Sequence, residues 1–237
     1  MKISLCTPCM GRLDQLKKTF PANLEAAKEF GLERIEFVIL NWSSNDGLED
    51  WLKSNYSYLI DAGTLKYLAT WEPEHYHMAK TKNITHKQAS GEIVVNVDAD
   101  SYVFLKYLEF VWDRLSEYDK PKILRAVGTR GKPAGRIACR KKYFMELGGY
   151  DEVMELWGSD DWDFTERFQR HYSVRVTHAP RRLIKTIEHD MIVRYSNYRT
   201  AHTNGRKRKD YNKWKRKQNK KRGVNIVNTD KEWGILP

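Results

Sequence analysis

Two aspartates one residue apart, Asp98 and Asp100, close the apolar run VVNVDADSYVF at residues 94–104. Residues i and i+2 of a strand point to the same side, so the two carboxylates are expected to project together with Ala99 turned away. Neighbouring carboxylates repel unless a cation lies between them. Mg²⁺ and Mn²⁺ take oxygen ligands, and Mg²⁺ commonly combines one or two carboxylates with substrate phosphates. The pair therefore reads as a half-built metal site that a phosphorylated ligand completes. A second acidic group, Asp160, Asp161 and Asp163, lies in WGSDDWDFTERF. Carboxylates at a helix start can simply cap it and oppose its dipole. Capping leaves Trp157, Gly158 and the upstream Gly148-Gly149 pair unexplained, and glycines beside a large aromatic suggest a loop that closes over a ligand. Cys6 and Cys9 form a C-x-x-C, which suits a redox motif or two buried strand thiols. Zinc lacks a second cysteine pair, since only Cys139 remains.

Elements that would hold these groups follow from the pattern. Apolar strands are expected at 3–6, 34–40, 64–69 and 92–97, with helices at 13–20, 22–30, 48–55, 78–90 and 104–117 between or after them. Pro21 separates the first two helices in this reading. Strands alternating with helices imply an α/β chain with a mainly parallel sheet. Beyond residue 120 strands become sparse, with short ones expected at 173–180 and 182–190. The division expected is one domain at 1–200 and a basic C-terminal extension at 201–237.

Composition fits a globular protein: 41% of the 237 residues are apolar and 12% aromatic. No apolar run approaches the ~18 residues of a membrane helix, and Pro8, Gly11 and Arg12 interrupt any signal-peptide core. A cytoplasmic location is the expectation. Three cysteines make no disulfide framework. Charge is concentrated: residues 206–222 hold eleven Lys/Arg against one Asp, ten of the chain's eleven net positive charges. Such a block is either a solvated arm or one that meets a polyanion. Tyr211 and Trp214 sit among the cations and could stack on bases. Arg206, Lys207, Arg208, Lys209, Lys213, Trp214, Lys215 and Arg216 are accordingly the candidate contacts to a polyanionic acceptor such as DNA.

Together, IVVNVDADSYV and FMELGGYDEVMELWGSDDWDFTERF resemble the GT-A glycosyltransferases. The style is that of family 2, with the C-terminal motif of the beta-galactosyltransferases and polypeptide N-acetylgalactosaminyltransferases. The matching letters are Gly148, Gly149, Tyr150, Asp151, Glu152, then Trp157, Gly158, Asp160, Asp161, Asp163 and Arg167. MAKTKNITHKQASGEIVVNVDAD is similar to the family's stretch before its D-x-D. The resemblance covers residues 3–190 and implies a single GT-A domain with a parallel central sheet. It implies Mn²⁺ or Mg²⁺ on Asp100 and Asp98, with His189 completing the site. It implies a nucleotide-sugar donor, UDP first, near Pro8, Arg12, Asn41, Asp46, Asn83, Asp98, Trp157 and Gly158. It implies Asp161 as general base, with Asp160 beside it, and an inverting reaction. Asn41 stands where family 2 commonly has Asp, Met10 where some galactosyltransferases have a second Arg, and Asp160 where Glu is common.

The acceptor implied by the charge block is a hydroxymethylated base in DNA, presented outside the stack. A cell-surface glycan or protein is the other acceptor class, with the tail meeting acidic lipid. Two further readings are a nucleic-acid-binding module on an inactive transferase fold and a redox protein using Cys6 and Cys9.

Overall fold

The computed structural model describes residues 1–117, 119–127, 133–188, 197–198 and 205–237. The first half alternates strand and helix: β1 (Ile3–Cys9), α1 (Leu13–Phe30), β2 (Ile35–Trp42), α2 (Leu48–Asp61), β3 (Leu65–Thr70), α3 (Met78–Gln88) and β4 (Ile93–Asn96). There follow β5 (Ser101–Val103), α4 (Leu105–Leu115), β6 (Ile123–Val127), β7 (Pro133–Arg140), α5 (Lys141–Glu146) and α6 (Asp160–Tyr172). The last elements are β8 (Thr177–Ala179), β9 (Ile184–Thr186) and α7 (Gly205–Lys221).

Seven strands form one sheet in the order β3-β2-β1-β4-β7-β6-β8, and β5 pairs with β9 in a two-stranded sheet. β1, β2, β3 and β4 run parallel. β7 runs antiparallel to β4 and β6, while β8 is parallel to β6. Every residue of β1 and β2 is buried, because helices cover both faces. One apolar cluster joins Ile3, Leu5 and Cys9 to Leu16 and Phe20 of α1 and Leu108 of α4. A second joins Cys6 and Val94 to Phe144, Phe164 and Phe168 from α5 and α6.

Three expectations need correction. Pro21 does not divide two helices; α1 runs through it for 18 residues. Among the described residues the strands expected at 173–180 and 182–190 shrink to β8 and β9, the latter after one 3-10 turn at Arg181–Leu183, and residues 189–190 lie outside the described residues. The sparse region after residue 120 contains the β6–β7 hairpin, whose inward arginines Arg125 and Arg136 hid it from an apolar pattern.

The cysteine pair cannot work as a redox couple. Three residues apart on a strand, Cys6 and Cys9 face opposite sides and enter different clusters. Burial pushes the Cys9 thiol up to about 12, with Asp46 adding to the rise, and raises Cys6 well above its ordinary range. Denaturing the oxidised and reduced protein should give the same melting temperature, and thiol titration after unfolding should count three free cysteines. A redox-dependent melt would reject this placement.

Candidate active site

The carboxyl ends of β1, β2 and β3 open onto a cleft of about 480 Å³, lined by Met10, Gly11, Ser43, Asn45, Trp71 and Glu74 among others. Ligands of open α/β sheets bind at this end. The next strand outward, β4, stops at Asn96, so Asp98 and Asp100 lie in the turn to β5 and not on the strand itself. They stay two residues apart in one short turn, and burial, with repulsion from Asp100 added against the pull of Lys82, raises the Asp98 carboxyl. The turn's backbone is held from α1: Thr19 Oγ1 donates to the Ala99 carbonyl at 2.7 Å. Asn23 donates to the Ser101 carbonyl at 3.1 Å and accepts from the Val103 N–H at 2.6 Å. Asn96 Nδ2 donates to Asp98 Oδ1 at 3.1 Å and to the Gly135 carbonyl at 3.3 Å.

Gly135 connects this turn to the second acidic group. A side chain there would put a Cβ 2.7 Å from Asp161 Oδ2, so only glycine lets Asp161 lie across β7. Asp160 and Asp161 begin α6 after Gly158 (φ +91°) and Ser159 (φ +72°). Their carboxylates do not serve as caps in the way a bare sequence would suggest. Lys82 of α3 places its Nζ 2.7 Å from Asp160 Oδ2 and 2.7 Å from Asp161 Oδ1. Lys82 is itself buried, over the Tyr150 ring at 4.9 Å. Its charge also pulls down Asp98, the acid of the other motif. The buried Tyr198 ring feels Asp160, Lys82 and Asp98 together, after Tyr76. The two acidic groups are therefore neighbours, linked through Asn96 and Gly135 on one side and Lys82 on the other.

Burial and then Asp160 push Asp161 up to about 7, against the pull of Lys82 and Arg125. Arg136 of β7 is buried beside Asp98 and Asp100, which draw its pKa back up against burial. Its Nη1 donates to the Tyr102 carbonyl at 2.8 Å, while Nε and Nη2 have no hydrogen-bond partner among the described residues. Carboxylate oxygens from Asp98 and Asp100, two residues apart in one turn, suit a hard divalent cation. Among the described residues no group of three or more His, Cys, Asp or Glu is arranged around a metal.

Other expected residues divide sharply. Pro8 is a buried part of β1, and Arg12 precedes α1 with its Nη1 3.4 Å from the Gly11 carbonyl. Asp46 Oδ2 accepts from the Leu13 N–H at 2.9 Å, and its buried Oδ1 has no hydrogen-bond partner among the described residues. Asn41 turns away from the cleft: it donates to the Tyr67 hydroxyl at 3.0 Å and accepts from the Ser44 N–H at 2.9 Å. Asn83 is likewise committed to structure, donating to the Tyr150 carbonyl and to Glu152 Oε1 and accepting from the Tyr150 N–H. The geometry assigns both asparagines to holding loops. His189 and the side chains of Arg206, Lys207, Arg208 and Lys209 lie outside what the structure describes. His178 is exposed on β8.

Trp157 and Gly158 occupy the loop before α6, and α7 fastens that loop. The buried Asn212 Nδ2 donates to the Leu156 carbonyl at 2.5 Å and the Gly158 carbonyl at 2.9 Å. Asn219, two turns on, donates to Asp151 Oδ2 at 2.9 Å and Asp163 Oδ1 at 3.0 Å. Asp163 Oδ2 meets Arg167 at 2.6 Å, fully buried. Lys215 lies 3.9 Å from Asp151, Arg216 lies 3.8 Å from Glu166, and Lys213 and Trp214 are exposed.

A mostly parallel sheet with an acidic turn after β4, an antiparallel β7 and an acidic helix start facing that turn defines the GT-A fold. Comparison with solved structures agrees. A mannosyltransferase, PcManGT from Pyrobaculum calidifontis in complex with GDP-Man and Mn²⁺, superposes with a TM-score of 0.65 at 16% identity, over 83% of this chain and 61% of that one. TarS 1-349 of S. aureus in complex with UDP gives 0.60 at 17% identity, over 83% and 63%. Residues 128–190 match a family described as the N-terminal domain of galactosyltransferase. A Caenorhabditis elegans protein named probable N-acetylgalactosaminyltransferase 9 is 33% identical over 63 residues, 25% of this chain and 11% of that relative. The chain thus matches about a tenth of that relative's length. Among the described residues no helix is long and apolar enough to cross a membrane.

The raised Asp161 has a signed consequence for stability. Folded, it keeps its proton up to about pH 7, while unfolded it loses it near about 3.9. The folded state binds more protons across that window, so stability falls as pH rises through it. Asp161→Asn removes this fall. Its melting temperature relative to wild type should climb between pH 4 and pH 7.5; parallel curves would show that Asp161 ionises without penalty.

Proposed function

We propose that the chain is a metal-dependent, inverting glycosyltransferase that moves a sugar from a nucleotide-sugar donor, with UDP the first candidate carrier, to an acceptor hydroxyl. We further propose that this hydroxyl belongs to a hydroxymethylated base in DNA. The observation that supports the transferase reading best is the clustering of the two acidic groups, with Lys82 bonded to Asp160 and Asp161, and Gly135 between Asp161 and the Asp98 turn. A nucleotide suits the neighbouring cleft, which lies in the ~300–1,000 Å³ range of ligand pockets. The relatives named above are complexed with UDP or with GDP-Man and Mn²⁺, which favours the same ligand class here.

Asp98 and Asp100 would hold Mn²⁺ or Mg²⁺, which when bound neutralises charge developing on the leaving diphosphate. Asp161 would accept the proton of the attacking hydroxyl through Oδ2, the oxygen that crosses Gly135, while Lys82 fixes Oδ1. A base with a pKa near the working pH is well poised for this transfer. Base and diphosphate on opposite faces of the sugar give inversion.

Support for a polyanionic acceptor comes from α7. Its inward side is polar but neutral at Asn212 and Asn219, and its outward side exposes Lys213, Lys217 and Lys220 along with Tyr211 and Trp214. Cations interleaved with aromatic rings are the pattern of single-stranded nucleic-acid binders. Deleting the helix would also release the loop before α6, so charge removal is the cleaner probe.

Asp161→Asn should lower kcat by ~10²–10⁴ with donor affinity nearly intact. Lost donor affinity in that variant would move Asp161 to the metal or donor. Replacing Lys213, Lys217 and Lys220 together with Gln should flatten the plot of log affinity for DNA against log salt by about 2–3 units, if each lysine meets a phosphate. An unchanged slope would remove α7 from the acceptor surface.

A further inference from the structure

One exposed tryptophan stands next to the proposed base. Trp162 follows Asp161 in the first turn of α6 and is 42% exposed, although the ring is large and apolar. The Arg125 guanidinium of β6 lies over this ring, 4.2 Å from its centroid. Arg125 is buried, which lowers its pKa, and the charges of Asp161 and Asp160 act against that lowering. The Arg216 guanidinium of α7 lies 5.8 Å from the ring centroid and is partly open to solvent. Three elements thus converge on one indole: β6 behind it, α6 carrying it and α7 beside it.

This arrangement has no evident role in the core. Trp162 belongs to neither apolar cluster. Cation–π contact fixes the ring's orientation without burying it. What remains is an oriented, partly exposed ring one residue along the chain from the proposed base, with two guanidinium groups near it. We propose that Trp162 is the acceptor platform: the nucleobase that bears the attacking hydroxyl packs against the exposed part of its ring, and a flanking phosphate meets Arg216. The inference rests on the reading of Asp161 as the base, and it names the acceptor subsite of that same cleft. A nucleobase fits better than a sugar ring because the rim is cationic and continues into the basic, aromatic-bearing face of α7, where Tyr211 and Trp214 lie 6.0 Å apart.

The test separates this subsite from the donor site. The probe is a fluorescein-labelled single-stranded oligonucleotide containing 5-hydroxymethylcytosine, with binding read by anisotropy. Base–aromatic stacking is worth about 1–3 kcal/mol per base, so Trp162→Ala should weaken binding roughly 5- to 150-fold. Trp162→Phe should restore most of it. In parallel, stabilisation of each variant by UDP or GDP with Mn²⁺ is read by thermal shift, and Trp162→Ala should match wild type. Wild-type oligonucleotide affinity in Trp162→Ala would overturn the platform alone. So would loss of the nucleotide shift in that variant, which would place Trp162 in the donor site. A wild-type protein stabilised by neither nucleotide would sink the transferase reading, and this inference with it.

Discussion

A single buried ammonium sets the geometry of the acidic cleft. Lys82 has nothing apolar to gain at its charged end, and desolvating it costs several kcal/mol unless the charge is matched. It is matched twice, by Asp160 and Asp161 at 2.7 Å each. This fixes the start of α6 against α3 and orients both acids toward the turn after β4. Asn83, the next residue on α3, grips both backbone groups of Tyr150 and the Glu152 carboxylate. Two consecutive side chains of one helix therefore place the loop from Gly149 to Asp161. Without the lysine, Asp160 and Asp161 would repel each other in a poorly solvated space.

Polar interactions dominate the second half of the chain in the same manner. Arg167 is fully buried and bonds Asp163 and the carbonyls of Leu147 and Gly149. Asn228 of the C-terminal segment donates to the carbonyls of Gly148 and Tyr150 and accepts from the Glu152 N–H. The Gly234 N–H reaches Glu152 as well, at 2.8 Å. A network of this kind is costly if any member is unmet, and specific when all are met. It explains why the paired glycines cannot be larger: a Cβ at Gly148 would collide with the Val227 carbonyl, and one at Gly149 with Phe144, Asn83 and Trp233. The chain's end is part of the fold, and its Pro237 carbonyl accepts from Thr70 at the end of β3.

How far the sequence can be read follows from this chemistry. The parallel strands are visible because burial on both faces leaves short apolar runs such as FVIL and IVV. The acidic pairs are visible because like charges so close demand a reason. Lys82 is not visible, since in MAKTKNITHKQ it looks like any surface lysine on a helix. Its role depends on a contact 78 residues away. The β6–β7 hairpin is hidden for a related cause: Arg125 and Arg136 are buried, and rules that place charges outside misread such strands. Asn41 and Asn83 can be located but not interpreted, because an amide serves a loop or a ligand equally well until its partners are known.

The basic helix shows the limit of charge counting most clearly. From its letters, residues 206–222 could be a solvated arm. Beside the Lys215–Asp151 and Arg216–Glu166 pairs, what docks α7 is two asparagines seven residues apart, which bring their amides to one side of a helix every two turns. One pair of bonds reaches the carbonyls of Leu156 and Gly158, flanking Trp157, and the other reaches Asp151 and Asp163. Cations fill most of the remaining surface. The face offered to a polyanion and the face that steadies the loop before α6 are therefore two sides of one helix.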